Sequence, residues 1–243
     1  MKTVEVLFPE VGNLYGDLGN IEFFRRISDD IIVIEDELFE EPFFAENEPD
    51  IIYMGTMTES SQVLVIEKLM PYRERIQELM DKGIWFLITG NALEIFGKRI
   101  EDKDSGTTEC LGLFPFYAKR DMMSRFNSLY LGTFKDGDFE TDIVGYKSQF
   151  SHSYPEEGSG IDSLFETGRG PGLNPDITGE GIRYKNFMGT YIIGPLLVLN
   201  PPFTKWLAGE MGLYSELPFE QDAMKAYEVR VEEYSDPSRG FYY

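Results

Sequence analysis

Ile84-Trp85-Phe86-Leu87-Ile88-Thr89-Gly90-Asn91-Ala92 passes from an unbroken apolar run into a small polar turn. A run without polar alternation suits a strand covered on both faces, as in a parallel sheet. The same texture recurs upstream at Val4-Glu5-Val6-Leu7-Phe8, Ile31-Ile32-Val33-Ile34 and Ile51-Ile52-Tyr53-Met54. Between these runs the period changes to that of a helix. Ile21, Phe24 and Ile27 share one face after Gly16-Asp17-Leu18-Gly19-Asn20, and Ile66, Leu69, Ile76 and Leu79 do so within residues 59 to 82. Pro71 predicts a second helix start inside that stretch, and Gly83 its end. Alternating strands and helices predict an α/β fold with a doubly wound, mostly parallel central sheet.

From about residue 110 to 191, glycine, proline and polar turns separate short segments such as Ile143-Val144-Gly145-Tyr146 and Ser163-Leu164-Phe165-Glu166. These predict extra strands and hairpins within the same unit, so residues 1–243 read as a single domain. Asn200-Pro201-Pro202 opens a further helix. A last helix is expected at about 218–234, with Ala223, Tyr227, Val231 and Tyr234 at helical spacing and a frayed tail over 235–243.

With 22 basic and 43 acidic residues the formal charge is -21, which repels phosphate backbones and anionic lipid. Nucleic acid and membrane are therefore not expected as partners. Cys110 is the only cysteine, so neither an internal disulfide nor a cysteine zinc site is available. The opening Met1–Pro9 is too short and too charged for a signal peptide, and no apolar run is long enough to span a bilayer. The expected compartment is the cytoplasm.

The turn at Gly90 has a special position. At the C-terminal edge of such a sheet, a sharp strand-to-helix turn is where α/β enzymes raise a nucleophile, with backbone N–H groups facing an oxyanion. An ordinary turn would use glycine only for its freedom of backbone. Four blocks of sequence bear on the choice: Phe8-Pro9-Glu10-Val11-Gly12-Asn13-Leu14-Tyr15-Gly16-Asp17; Gly55-Thr56-Met57-Thr58-Glu59-Ser60-Ser61-Gln62; Leu87 to Gly97; and Gly189-Thr190-Tyr191-Ile192-Ile193-Gly194-Pro195-Leu196-Leu197. In this order they resemble the cobyric-acid-synthase-like class I glutamine amidotransferases, and within them the glutaminase subunits of bacterial lipid II isoglutaminyl synthase. The resemblance spans roughly residues 3 to 210 and implies a flavodoxin-like amidotransferase fold. It also implies a synthetase partner, often Mur-ligase-like, to which the domain delivers ammonia.

The departures from that pattern concern the chemistry. The resemblance places Gly90 at the catalytic cysteine and Ile193 at the histidine that would deprotonate it, which removes both thioester formation and the proton shuttle. Thr56 and Met57 replace glycines in the oxyanion turn after Gly55, and Glu94 replaces a glutamine, bringing a negative charge toward the site. Gln62 and Asn91 belong to the same blocks, and Arg125 stands near an arginine that holds the glutamine carboxylate in the family. No residue is expected to take over. Thr89 ends its strand pointing elsewhere, His152 sits in a Ser-His-Ser loop, and Cys110 reads as a buried filler. Gly168, Gly170 and Gly172 precede no helix and no Gly-Lys-Ser/Thr follows, so they form no phosphate loop. Glu156-Glu157 and Glu232-Glu233 read as solvated surface, and neither metal nor cofactor is expected.

The sequence thus predicts a catalytically degenerate subunit that binds or scaffolds a synthetase. Two other readings stand beside it: an enzyme with relocated or partner-supplied residues, and a sensor that binds a glutamine-like small molecule in the residual pocket.

Overall fold

The structure, a computed structural model, describes residues 1–213 and 216–239. Strands β1 (Lys2–Leu7), β2 (Ile31–Asp36), β3 (Ile51–Met54) and β4 (Trp85–Thr89) pair in parallel. Side chains on alternate strand positions reach opposite faces, and the two faces carry separate cores. Ile52, Met54, Phe86 and Ile88 enter one cluster, while Val4, Val6, Tyr53 and Leu87 enter the other.

Helices cover both. Helix α1 (Leu18–Ile27) buries Ile21, Phe24 and Ile27 in the second cluster, the stripe read from the sequence. Helices α2 (Glu59–Leu69) and α3 (Arg73–Asp81) bury Val65, Ile66, Leu69, Ile76 and Leu79 in the first. Thr58 caps α2 by accepting from the Ser61 amide at 3.1 Å. Pro71 lies in a short 3₁₀ turn between the two helices, and Gly83, at φ +82°, ends α3.

The remaining strands are β5 (Arg99–Asp102), β6 (Gly106–Glu109), β7 (Phe116–Arg120), β8 (Phe126–Asp136), β9 (Phe139–Gln149) and β10 (Ser151–Pro155). After them come β11 (Phe165–Arg169), β12 (Gly179–Glu180), β13 (Ile182–Tyr184) and β14 (Phe187–Thr190). The central sheet has the order β13-β14-β4-β3-β1-β2, with β14 parallel to β4 and only β13 antiparallel. The expected hairpins are present, β8–β9 the longest, and they join with other strands into two further four-stranded sheets, β10-β7-β5-β6 and β12-β11-β8-β9. The sequence hid this because their partners lie far apart in the chain. Gly168 belongs to β11, and Gly170 and Gly172 lie in the connection to its antiparallel neighbour β12.

A buried ion pair within the second of these sheets is tied to the central sheet through its carboxylate. Lys147 on β9 bonds the Glu180 carboxylate on β12 and the carbonyls of Pro171 at 3.0 Å and Gly172 at 2.6 Å. Burial pushes the Lys147 pKa down, against the pull of Glu180. Glu180 in turn accepts from the Thr190 hydroxyl and the Tyr191 amide, both at 2.8 Å. The chain leaving β14 is thereby fixed before it enters α4 (Leu196–Leu199) and α5 (Pro201–Glu210). Helix α6 (Glu220–Ser235) follows, close to the span expected from the sequence. The part of the expected frayed tail from Gly240 onward lies outside the described residues. No helix among the described residues is long and apolar enough to cross a membrane.

Candidate functional site

Three chain turns meet at the C-terminal edge of the central sheet. The loop after β1 reaches over the loop after β3, where the Leu14 amide donates to the Thr56 carbonyl at 3.0 Å. Gly55 permits that approach, since a Cβ there would lie 3.2 Å from Asp17 Cβ and closer still to the Gly12 carbonyl oxygen. The third turn is that of Gly90, whose φ is +63°. This is left-handed backbone, which glycine adopts at little steric cost. Gly90 opens a 3₁₀ segment, Gly90–Phe96, buried throughout.

Beneath the turns lies Asp17, fully buried. Its Oδ2 accepts from the Thr56 amide and hydroxyl, each at 2.6 Å, and from the Thr89 hydroxyl at 2.9 Å. Its Oδ1 has no hydrogen-bond partner. Burial raises the Asp17 pKa, and the donors from Thr56 and Thr89 oppose the rise. Thr89 is thus occupied below the sheet edge, where its hydroxyl also stands 3.3 Å from that of Tyr53.

A small cavity of about 130 Å³ remains above the turn. Of the residues singled out from the sequence, Thr56, Met57, Gly90, Asn91 and Arg125 line it. Tyr15, Ser148 and Gln149 line it as well, and these the sequence reading had not placed there. Tyr15 is itself left-handed, at φ +57°. The Arg125 guanidinium lies 4.4 Å from the centre of the Phe150 ring, and Gln149 Oε1 is buried without a partner.

Gly55, Gln62 and Glu94 do not line the cavity. Glu94 is buried behind the turn, where Oε2 accepts from Arg120 at 2.9 Å and from Gln62 at 3.1 Å, and Oε1 from the Tyr191 hydroxyl at 3.1 Å. Gln62 also bonds Arg120 and the Asn91 carbonyl. The negative charge expected beside the oxyanion position is therefore balanced by an arginine on β7. Sequence spacing could not reveal this partner, which lies 26 residues away.

Two further features decide what the turn can do. A Cβ on Gly90 would lie 2.7 Å from Thr56 Cγ2 and 2.8 Å from Thr56 Cβ, so Thr56 occupies the space a side chain there would need. The Met57 amide, in the turn that would supply an oxyanion donor, gives its hydrogen to Asn91 Oδ1 at 3.1 Å. Asn91 Nδ2 donates back to the Met57 carbonyl at 2.9 Å. Ile193 is buried and bridged through its backbone to Tyr146, its amide donating to the Tyr146 carbonyl at 3.0 Å. It offers no group that could carry a proton.

His152 lies on strand β10, not in a loop, and is half-buried against the Phe126 ring. Burial lowers its pKa, and Lys147 adds to the effect. The strand escaped notice because its inward side chains are polar: Ser153 bonds the Tyr191 hydroxyl at 2.7 Å, and its carbonyl accepts from Asn174 at 2.8 Å. Cys110 is buried, and burial pushes its thiol up to about 12. Among the described residues, no group of three His, Cys, Asp or Glu could hold a metal ion.

The fold has counterparts among known proteins. Its overall fold is that of a solved glutamine amidotransferase, with a TM-score of 0.52 at 14% identity over 86% of this chain and 98% of the other. By sequence it is similar to the GatD subunit of lipid II isoglutaminyl synthase (glutamine-hydrolyzing) from Staphylococcus aureus (strain N315), 29% identical over 210 residues, 86% of this chain and 83% of that one. The subunit of the same name from Streptococcus pneumoniae (strain ATCC BAA-255 / R6) is 26% identical over 246 residues, covering 95% and 89% respectively. No protein-family model matches the chain.

Proposed function

We propose that this chain is a catalytically degenerate glutamine-amidotransferase-like subunit, a single cytoplasmic domain that acts by binding a synthetase of the Mur-ligase type. The parallel strands, in the order β2-β1-β3-β4-β14, support a flavodoxin-like, doubly wound reading of the fold. The observation that carries the functional reading is the occupancy of the elbow. Thr56 fills the space of a side chain at position 90, and Asn91 holds the Met57 amide. A glutamine amide brought to this turn would meet neither a nucleophile nor a free donor from Met57. What the chain keeps is the scaffold that such subunits present to their synthetase, and a fold maintained without its chemistry is a fold maintained for binding.

The test is ammonia release from glutamine by the purified chain, alone and with the Mur-ligase-like synthetase of the same genome. No release above the buffer is expected in either case. Turnover that disappears in Thr89→Val would instead establish relocated catalysis.

One observation favours a second reading. The cavity keeps Arg125, which has no ion pair among the described residues, and the unpartnered Gln149 Oε1. A cation and a buried acceptor side by side suit a small amino acid carrying a carboxylate and an ammonium. A rise in melting temperature with glutamine or glutamate, absent in Arg125→Ala, would support a sensor.

A further inference from the structure

A groove of about 300 Å³ runs between α1, α4 and the start of α6, away from the residues that line the elbow cavity. Its walls include Phe23 of α1, Leu197 and Val198 of α4, Pro201 of α5, and Phe219 and Ala223 at the start of α6. We propose that this groove seats the partner, and that the segment seated is apolar and flanked by basic residues. The inference rests on the reading of the chain as a partner-binding subunit.

Four observations point there. Phe219 is 76% exposed, and Val198 in the same groove is 42% exposed. Phe219 also has left-handed backbone, at φ +54° and ψ 34°. A bulky residue there is strained, and none of the described residues covers the ring. Helix α6 is under-buried as well: over 16 residues it buries only Tyr227, while Val229 stands 54% exposed. Helices in globular proteins gain most of their stability from burying an apolar face, and here much of that face lacks a cover.

The charges around the groove select the occupant. Glu216 and Asp222 adjoin the lining residues Leu217 and Ala223, and both are exposed without an ion pair among the described residues. Glu22 lines the groove and is the partner of Arg25 and of Arg26, the one cation of the lining. An apolar trough whose one lining cation, Arg26, is already paired with Glu22, with the exposed Glu216 and Asp222 next in sequence to its lining, on a chain of net charge -21, attracts a basic-flanked segment. The same charge repels a second copy of this chain, so self-association is the weaker candidate.

The experiment measures binding between the full chain and the Mur-ligase-like synthetase of the same genome, co-expressed and then titrated as purified proteins. Phe219→Asp and Val198→Asp place a charge on exposed positions, and aspartate tolerates the left-handed backbone at 219, so neither should lower the melting temperature. Each is expected to weaken binding at least about tenfold, as centrally placed aromatic and aliphatic anchors do. Asp222→Lys should weaken it several-fold and flatten its dependence on salt. A complex that forms normally with all three variants overturns the groove and leaves the partner-binding reading standing. Absence of any complex with the unmodified chain takes down both. Self-association of the unmodified chain that Phe219→Asp abolishes would assign the groove to a second copy and overturn the proposal.

Discussion

The side chain of Thr56 stands where the first carbon of any side chain at position 90 would have to be, within 2.8 Å of it at Thr56 Cβ. Thr56 is held there by Asp17, which takes its hydroxyl and its amide together. Position 90 is therefore confined to glycine twice over, by its φ of +63° and by its neighbour.

Gly90→Ala is accordingly expected to destabilise the fold by about 2–4 kcal/mol, combining left-handed strain with overpacking. Thr56→Gly should relieve the second part. A double-mutant cycle by urea unfolding should show a favourable coupling of at least about 1 kcal/mol. Additive effects would mean that Thr56 yields freely and does not define the turn. An ordinary turn would instead be stabilised by the alanine, by about 0.4–1 kcal/mol.

Restoring the chemistry should be harder than restoring its residues. Gly90→Cys with Ile193→His is expected to lose stability and release no more than trace ammonia from glutamine. The thiol would collide with Thr56, and the Met57 amide would stay bound to Asn91. Thr56→Gly and Asn91→Gly must be added before any turnover is measurable. Robust activity in the double variant alone would show that the site had been closed only in appearance.

Glu94→Gln reinstates the glutamine that the resemblance places at this position, and should nevertheless be harmful. Arg120 is buried beside it and would lose its carboxylate. Leaving a buried charge uncompensated typically costs about 3–5 kcal/mol. Denaturant unfolding at neutral pH measures this directly, and a change below about 1 kcal/mol would contradict the pairing.

Glu5 provides a dependence on pH. Burial, and then the neighbouring Asp36 carboxylate, push its pKa up to about 10, while its Oε1 accepts from the Phe44 amide at 2.9 Å. Protonated Glu5 therefore belongs to the folded state. Its contribution is fully present below the unfolded value of about 4.5 and is lost as pH rises toward 10. Glu5→Gln keeps the oxygen for Phe44 and supplies a permanent donor in place of the proton. It should stabilise the protein at pH 8 by roughly 1–3 kcal/mol and do little at pH 4. Equal effects at both values would remove Glu5 from the titration.

The elements were legible where one segment carries its own pattern. Ile21, Phe24 and Ile27 declare α1, and the run ending at Thr89 declares β4, because burial on a face repeats with the local period. The glycine at position 90 also announced a turn needing left-handed backbone. What the sequence withheld were relations between segments. That Thr56 fills the space at Gly90, that Asn91 ties Met57, and that Glu94 turns inward to Arg120 are all contacts across more than 25 residues. Strand β10 was concealed for a related reason, since Ser151 and Ser153 face inward to hydrogen-bonding partners and break the expected apolar alternation.

The fit of Thr56 against Gly90 also sets an order on any change at this site. A lineage carrying both cannot gain a side chain at position 90 first, because that variant would be the least stable of the series. Such a change must begin at Thr56, with the loss of one of the three hydrogen bonds that Asp17 receives. That first step would bring no activity with it. Threonine at 56 thus acts as a ratchet against any side chain at position 90.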